Sequence, residues 1–395
     1  MRACLLLLPM LAMAQGVPAG IPISIRLTSS ISTRSSKASD PVDAVVIAPV
    51  IVNGHAAIAS GAEVHGTVKA ITQPAADGRA ALLLTFDRIV IGSKTHPMTA
   101  QVSGVDNARE KVDGQGQITG ILVSETITGK LDAGLEKLSD QYSGLAGVLS
   151  AAKRAVLEDA STDISYPRGV EMTLKLTEPL TVPLVPIASP PAWRVADRKA
   201  LERLIAREPF QTTAQKLSKP SDLTNLLLAA TEDALRRAFT EAGWSGAAVL
   251  NPLSKFETLR ALAEDRGYNE APVSVLLLDG KPPDIVFEKT NNTFARRHHL
   301  RIWRRPAAVD GKPVWEVAAT HDTGIDFSES DRTFIHRIDP QIDREREKVV
   351  DDLCFTGRVR AFELFDRPQA PRQTRNATGD NIETDARLAA LLLDR

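Results

Sequence analysis

Four of the seven histidines, His298, His299, His321 and His336, fall within 39 residues of a 395-residue chain, and five arginines, Arg296, Arg297, Arg301, Arg304 and Arg305, within ten. Imidazole titrates near neutral pH and can bind, give or take a proton. Guanidinium grips a phosphate or carboxylate in a fixed fork. With Asp322 nearby, these residues read as a small anion site in which Arg301 holds the anionic group. His299, oriented by Asp322, then binds it or transfers a proton. The same residues also fit a structural role, as a sheet face with cross-strand ion pairs and histidines bonded to backbone carbonyls. Metal binding reads as weaker. His298 and His321 can share a face as diagonal neighbours roughly 7 Å apart, but the sequence has no H-E-x-x-H helix and no cysteine pair. The residues therefore predict no metal and no cofactor. No glycine-rich phosphate loop precedes a helix and no G-x-S-x-G elbow is present. Cys354, between Leu353 and Phe355, reads as core.

The elements that must position this cluster can be read from turn signals and periodicity. Asp310-Gly311 is a two-residue hairpin signal between a strand ending at Arg305 and another starting at Val314. With that turn as centre, His299 lies opposite Asp322, Arg301 opposite Thr320 and Arg305 opposite Glu316. One face then carries His299, Arg301, Arg305, Glu316 and Asp322, and the other His298, Leu300, Ile302, Ala319 and His321. His336 can join either face. Asp339-Pro340 opens a helix at cap and first-turn positions. Its charged residues Asp343, Arg344, Glu345 and Arg346 read first as a solvated face, with one or two turned back towards the histidines.

Further strands are predicted at Leu223 to Ala229, Val273 to Leu278, Ile285 to Lys289 and Val359 to Phe365. Helices follow Thr231 up to Gly243 and cover Lys255 to Asp265. Glu241-Ala242-Gly243-Trp244, Ala271-Pro272-Val273-Ser274, the run Arg296 to Trp303, Val314-Trp315, Thr320-His321-Asp322, and His336 ahead of Asp339-Pro340-x-x-Asp343-x-Glu345-Arg346 occur in one order. That order resembles the LssY C-terminal domain family over about residues 221–365. The family is often joined to membrane proteins, some of them lipid-phosphatase-like, so the resemblance implies an envelope context and no particular reaction. This chain departs from it by placing a β domain in front.

That front part reads as a barrel or sandwich. Ile21, Ile23, Ile25 and Leu27 alternate onto one face, and similar runs follow at Val42 to Val52, Glu63 to Ile71, Ala80 to Ile91 and His96 to Val102. Val170 to Leu176 repeats the first pattern, so residues 164–182 are expected to return to the first sheet. Between them, 126–160 is helical in period. The arrangement loosely resembles TrbI-type barrels of exported bacterial proteins. Residues 1–14, with Arg2, a leucine-rich run and Ala12-Met13-Ala14, form a signal-peptide pattern too short to span a bilayer. Removal of that segment would leave Cys354 as the one cysteine, so no intrachain disulfide is expected.

The predicted architecture is multidomain. An N-terminal all-β barrel or sandwich with a helical insertion occupies 15–182, a proline-rich linker and boundary helix 183–220, an α+β domain with a mainly antiparallel sheet 221–365, and a polar tail 366–395. A formal charge of −1 gives no field for nucleic acid, and the mature chain is expected to carry no transmembrane span. The functional expectation is an exported, periplasmic or secreted envelope protein. It would act as a binding or scaffolding module whose Arg/His pocket takes an anionic small molecule or lipid headgroup, or which pairs with an envelope component. The alternative is a phosphate- or lipid-ester hydrolase.

Overall fold

The computed structural model describes residues 16–75, 78–122, 162–186, 190–215, 217–246, 276–289, 296–328 and 333–394, with side chains left out at 325–336. The expected signal segment, the helical insertion at 126–160 and the helix at Lys255 to Asp265 lie outside the described residues.

Six strands close a barrel. They are β1 (Pro22–Leu27), β2 (Pro41–Val46), β3 (Glu63–Thr72), β4 (Ala81–Ile91), β5 (Lys94–Val105) and β6 (Glu171–Leu176). Each pairs antiparallel with the next in that order, and β6 closes the ring on β1 with Leu174 opposite Ile23. The late strand therefore returns as its repeat of the first pattern predicts. Alternation drives the closure: Ile23, Ile25 and Leu27 of β1 pack inward with Val64, Leu84, Phe86, Val102 and Leu174. Gly92 takes a left-handed φ of 62° in the two-residue turn between β4 and β5. Gly66 has a different reason. A Cβ there would lie 2.1 Å from the Thr85 carbonyl oxygen, so only glycine lets β3 approach β4 this closely.

Helix α1 (Val195–Ile205) follows the proline-rich stretch and forms the boundary helix expected within 183–220, and a short strand at Gln211–Ala214 comes after it. Among the described residues the C-terminal domain is an eight-stranded sheet with two helices. Its elements are β7 (Leu226–Ala229), α2 (Glu232–Glu241), β8 (Trp244–Gly246), β9 (Ile285–Lys289), β10 (Arg297–Val309), β11 (Lys312–Ser328), β12 (Thr333–Ile338), α3 (Ile342–Phe355), β13 (Val359–Asp366) and β14 (Arg387–Leu393). The sheet runs β8-β9-β10-β11-β7-β14-β13, with β12 paired to β11 off that path. Only β7 with β14 is parallel among these pairings. Thr231 caps α2 through a side-chain oxygen that accepts from the Ala234 amide, and Gly243 ends it at φ 84°.

The segment 366–395 is not a polar tail. Its apolar run, Leu388 to Leu393, becomes β14 between β7 and β13, because both faces of that position are covered by core. Helix α3 starts at Ile342, two residues later than the Asp339-Pro340 signal, while the Asp339 carboxylate accepts from the Gln341 amide just ahead of it.

Candidate functional site

Asp310 and Gly311 both take positive φ, 52° and 69°, and form the predicted two-residue turn between β10 and β11. Next to the turn the register is the predicted one, with Val309 opposite Lys312. A bulge between Arg305 and Ala308 then shifts the pairing by two residues. Arg297 lies opposite Asp322, His298 opposite His321 and His299 opposite Thr320. His299 and Arg301 therefore do not face Asp322 and Thr320 directly, as the unbroken register predicts. A shift of two preserves the faces, because side chains alternate with period two. The split into two histidine-bearing faces thus stands, and His298 and His321 are direct partners instead of diagonal ones.

On the first face, the arginines are engaged by carboxylates. Arg297 donates to Asp322 Oδ2 at 2.9 and 3.2 Å, and Arg301 Nη1 to Asp222 Oδ2 at 3.5 Å. His299 Nε2 sits 2.8 Å from the Thr320 hydroxyl, with Nδ1 3.8 Å from Asp322. Glu288, on the neighbouring β9 opposite His299, is buried too. Two guanidinium groups thus meet three buried carboxyls. Burial pushes all three up in pKa against the pull of the arginines, Asp322 to about 6. The field on this face is acidic. His336 lies in β12, opposite Ile325, among the residues whose side chains are not described.

Further along the same hairpin, Glu316 is fully buried between Arg367 Nη2 at 2.9 Å and the Thr224 hydroxyl at 2.7 Å, with Arg305 Nε at 3.7 Å. Burial raises its pKa to about 7 despite Arg367, and Glu208 adds a like charge. A carboxyl raised above its unfolded value adds stability that is complete below the ordinary value near 4.5. That contribution is lost as pH climbs through 7. Wild type should therefore lose more stability than Glu316→Gln between pH 5 and pH 8, by up to about 3 kcal/mol at roughly 1.4 kcal/mol per unit. Urea titrations at the two pH values would check this. Identical pH dependence in both proteins would show that Glu316 is ionised throughout.

The second face meets the barrel. After β5 the chain turns through Asp106 and Asn107, the latter in the left-handed region at φ 57°, and the Asp106 amide donates to the Glu171 carbonyl of β6. This turn presents Asp106 Oδ2 to His298 Nε2 at 2.9 Å and Asn107 Oδ1 to His321 Nε2 at 2.8 Å. Arg296 donates to the Ala108 carbonyl at 2.8 Å. On the far side of the His298 ring, Nδ1 lies 2.7 Å from Glu345 Oε2 of α3. The His298 and His321 rings stack at 4.1 Å between centroids. Burial lowers the pKa of His298, but Glu345 and Asp106 outweigh it and hold the pKa near 9. His321 is lowered by burial and by that neighbouring charge. Glu345 and Arg346 do not lie on a solvated helix face: both are buried, and Arg346 binds Asp385 at 2.8 and 3.0 Å.

Beside this turn lies a second polar cluster that sequence reasoning missed. Arg26 of β1 and Glu171 of β6 point out of the barrel yet are nearly as buried as its lining. Arg26 bonds Glu171 at 2.8 Å, the Ala242 carbonyl at 2.7 Å and Asp352 at 3.3 Å. Lys289 bonds Glu171 and the Ala242 carbonyl at 2.9 Å each and Asp352 at 2.8 Å. Lys348 pairs with Glu171, and Trp244 Nε1 donates to Asp352 at 2.9 Å. The one sequence signal was the alternation itself: a charged residue on an outward position of a barrel strand reads as solvated unless something covers it.

An open polar concavity lies elsewhere, lined by Gln341, Asp343, Arg372, Gln373, Thr384 and Asp385 among others. It includes none of the His/Arg cluster.

The comparisons with known proteins bear on the second half of the chain. Residues 200–388 match the LssY C-terminus family. That span begins inside α1 and reaches into β14, so the LssY-type domain extends past the predicted 221–365 at both ends. Among solved structures the chain is similar to ComB10 of the Com type IV secretion system of Helicobacter pylori. The identity is 15%, covering 44% of this chain and 94% of that one, at a TM-score of 0.24. No curated protein matches the chain. No helix among the described residues is long and apolar enough to cross a membrane.

Proposed function

We propose that this is an exported envelope protein whose barrel and LssY-type domain act together as a binding and scaffolding unit. Export is supported by the Arg2, leucine-run and Ala12-Met13-Ala14 pattern. One observation carries the scaffolding reading: the cationic groups that could have received a ligand are spent on the protein's own carboxylates. A phosphate or lipid headgroup on the first face would have to displace Asp322 from Arg297 and Asp222 from Arg301. It would also have to enter beside Glu288. On the second face His298 is bracketed by Asp106 and Glu345. A hydrolase needs its base, orienting carboxylate and anion holder converging on open space, whereas His299 and His298 point to opposite sides of one sheet.

The discriminating experiment is thermal unfolding of the full chain against inorganic phosphate and anionic lipid vesicles, with Arg301→Ala alongside. A scaffold gives no ligand-dependent shift in either protein. A ligand at 100 times its Kd stabilises by roughly 2.7 kcal/mol. A shift of that size abolished by Arg301→Ala would replace the scaffold by the anion-pocket reading.

A further inference from the structure

The turn at Asp106-Asn107 and the paired histidines opposite it have the make-up of a metal centre. Asp106, His298 and His321 each offer one ligand atom, and these atoms all lie within 4.8 Å of one another. We propose that these three residues bind one divalent transition ion of the zinc class, clipping the barrel to the LssY-type domain. The proposal does not depend on export or on the scaffolding reading, since it concerns a site and not a biological role.

Several independent features converge on it. Two imidazoles and one carboxylate form a nitrogen-rich donor set, which suits zinc and its neighbours and not the oxygen-seeking magnesium or calcium. The histidines come from directly opposed positions on two rigid strands, a firmer base than loop residues offer. Glu345 occupies the place of the outer carboxylate that fixes a metal-binding imidazole: it holds His298 Nδ1 at 2.7 Å and leaves Nε2 aimed at Asp106. Asn107, held in the left-handed region beside Asp106, brings an amide oxygen to His321 Nε2 at 2.8 Å and so orients that ring. Zinc bonds of about 2.0–2.1 Å place neighbouring ligand atoms a little over 3 Å apart. The ligand atoms must draw closer, and the stacked rings must splay for both to point at one ion; His321, the less tightly buried of the two, is the ring with room to turn. Binding would replace the proton shared between His298 and Asp106 and release it to solvent.

The sequence alone pointed away from this. Asp106 lies almost two hundred residues from His298, with no spacing motif to connect them, and a register without the bulge places the two histidines diagonally.

The test uses the full chain, stripped with a chelator and titrated with zinc chloride against a chromogenic competitor. Cobalt is used in parallel, because its visible absorption reports a low-coordinate site containing nitrogen. Wild type should take up one equivalent and gain melting temperature. Asp106→Asn and His321→Gln should each weaken binding by at least tenfold and lose the cobalt bands, while their metal-free melting curves show that they fold. His65→Ala is the control, because His65 is a part-buried barrel histidine that also meets carboxylates, Asp43 at 2.7 Å and Glu63 at 3.7 Å, but lies outside the site. It should bind as wild type does. No stoichiometric uptake by wild type, uptake undiminished in both site variants, or uptake lost in His65→Ala would each overturn the proposal.

Discussion

A chain ending at Phe365 is expected to leave the LssY-type domain unfolded. The deleted segment supplies β14, whose two neighbours β7 and β13 are otherwise unpaired on that side. Leu388, Leu391 and Leu393 are essentially inaccessible and divide between two core clusters on opposite faces of the sheet. Burying one such side chain contributes roughly 1.5–3 kcal/mol. Three together contribute about 4.5–9 kcal/mol, a large share of the roughly 5–15 kcal/mol that hold a typical domain. Arg367 is lost with them, so Glu316 keeps a buried charge site without its strongest partner, and Thr224, Glu208 and Pro209 lose the guanidinium that ties their segment to the sheet. Trp303 and Trp315 are buried in this domain and report its packing. Their fluorescence should shift to the red in the truncated chain, with loss of the near-ultraviolet dichroism. Leu391→Ala should cost about 2–5 kcal/mol in the intact chain by leaving a cavity. A truncated protein that melts as cooperatively as the full chain would show that β14 is an accessory strand.

That expectation runs against what the residues between Asp366 and Asp380 convey, and the reason is local. Their polar composition masks the short apolar run that follows. A strand only seven residues long, buried on both faces, gives no alternation to set it apart from a helix end or a loose terminus. Where alternation or turn chemistry is present, the sequence was far more legible. Ile23, Ile25 and Leu27 face inward as their spacing requires, Val170 to Leu176 rejoins β1, and Asp310-Gly311 makes the turn that its φ preferences demand. Pro306, which has no N–H to give a ladder, signals an interruption after Arg305, but not that it is a bulge that shifts the register by two. The bulge moved every partner by two while sparing the faces. The residues that bring the barrel and the LssY-type domain together were the least legible. Arg26, Glu171 and Asp106 look solvent-facing on their own strands and turn, and their burial follows from a surface contributed more than a hundred residues away.

Asp352→Ala is expected to be the most damaging single substitution at that junction. Its carboxylate receives Lys289 at 2.8 Å, Arg26 at 3.3 Å and the Trp244 indole at 2.9 Å, with Lys348 at 3.8 Å, all in a cluster almost sealed from water. Glu171 is the other carboxylate that Arg26, Lys289 and Lys348 all reach. Burial works against its charge, but the three cations more than compensate and hold its pKa well below the ordinary value. With Asp352 gone, three buried cations share one carboxylate. Stripping one partner from a buried ion cluster typically costs 3–5 kcal/mol, because the remaining charges stay desolvated without compensation. The loss falls on the contact between the domains, since Arg26 and Glu171 belong to the barrel and the other members to β8, β9 and α3. One calorimetric transition is expected for wild type and two for Asp352→Ala, the lower belonging to the LssY-type domain. Asp352→Asn separates charge from hydrogen bonding. Its amide oxygen can still accept from Trp244, so it should recover packing around the indole while leaving the excess positive charge in place. If Asp352→Asn is as stable as wild type, the cluster is held by hydrogen-bond geometry and its charge is incidental. If it behaves like Asp352→Ala, the balance of charge is what joins the barrel to its partner domain, and adding a second carboxylate at a facing position should restore the single transition.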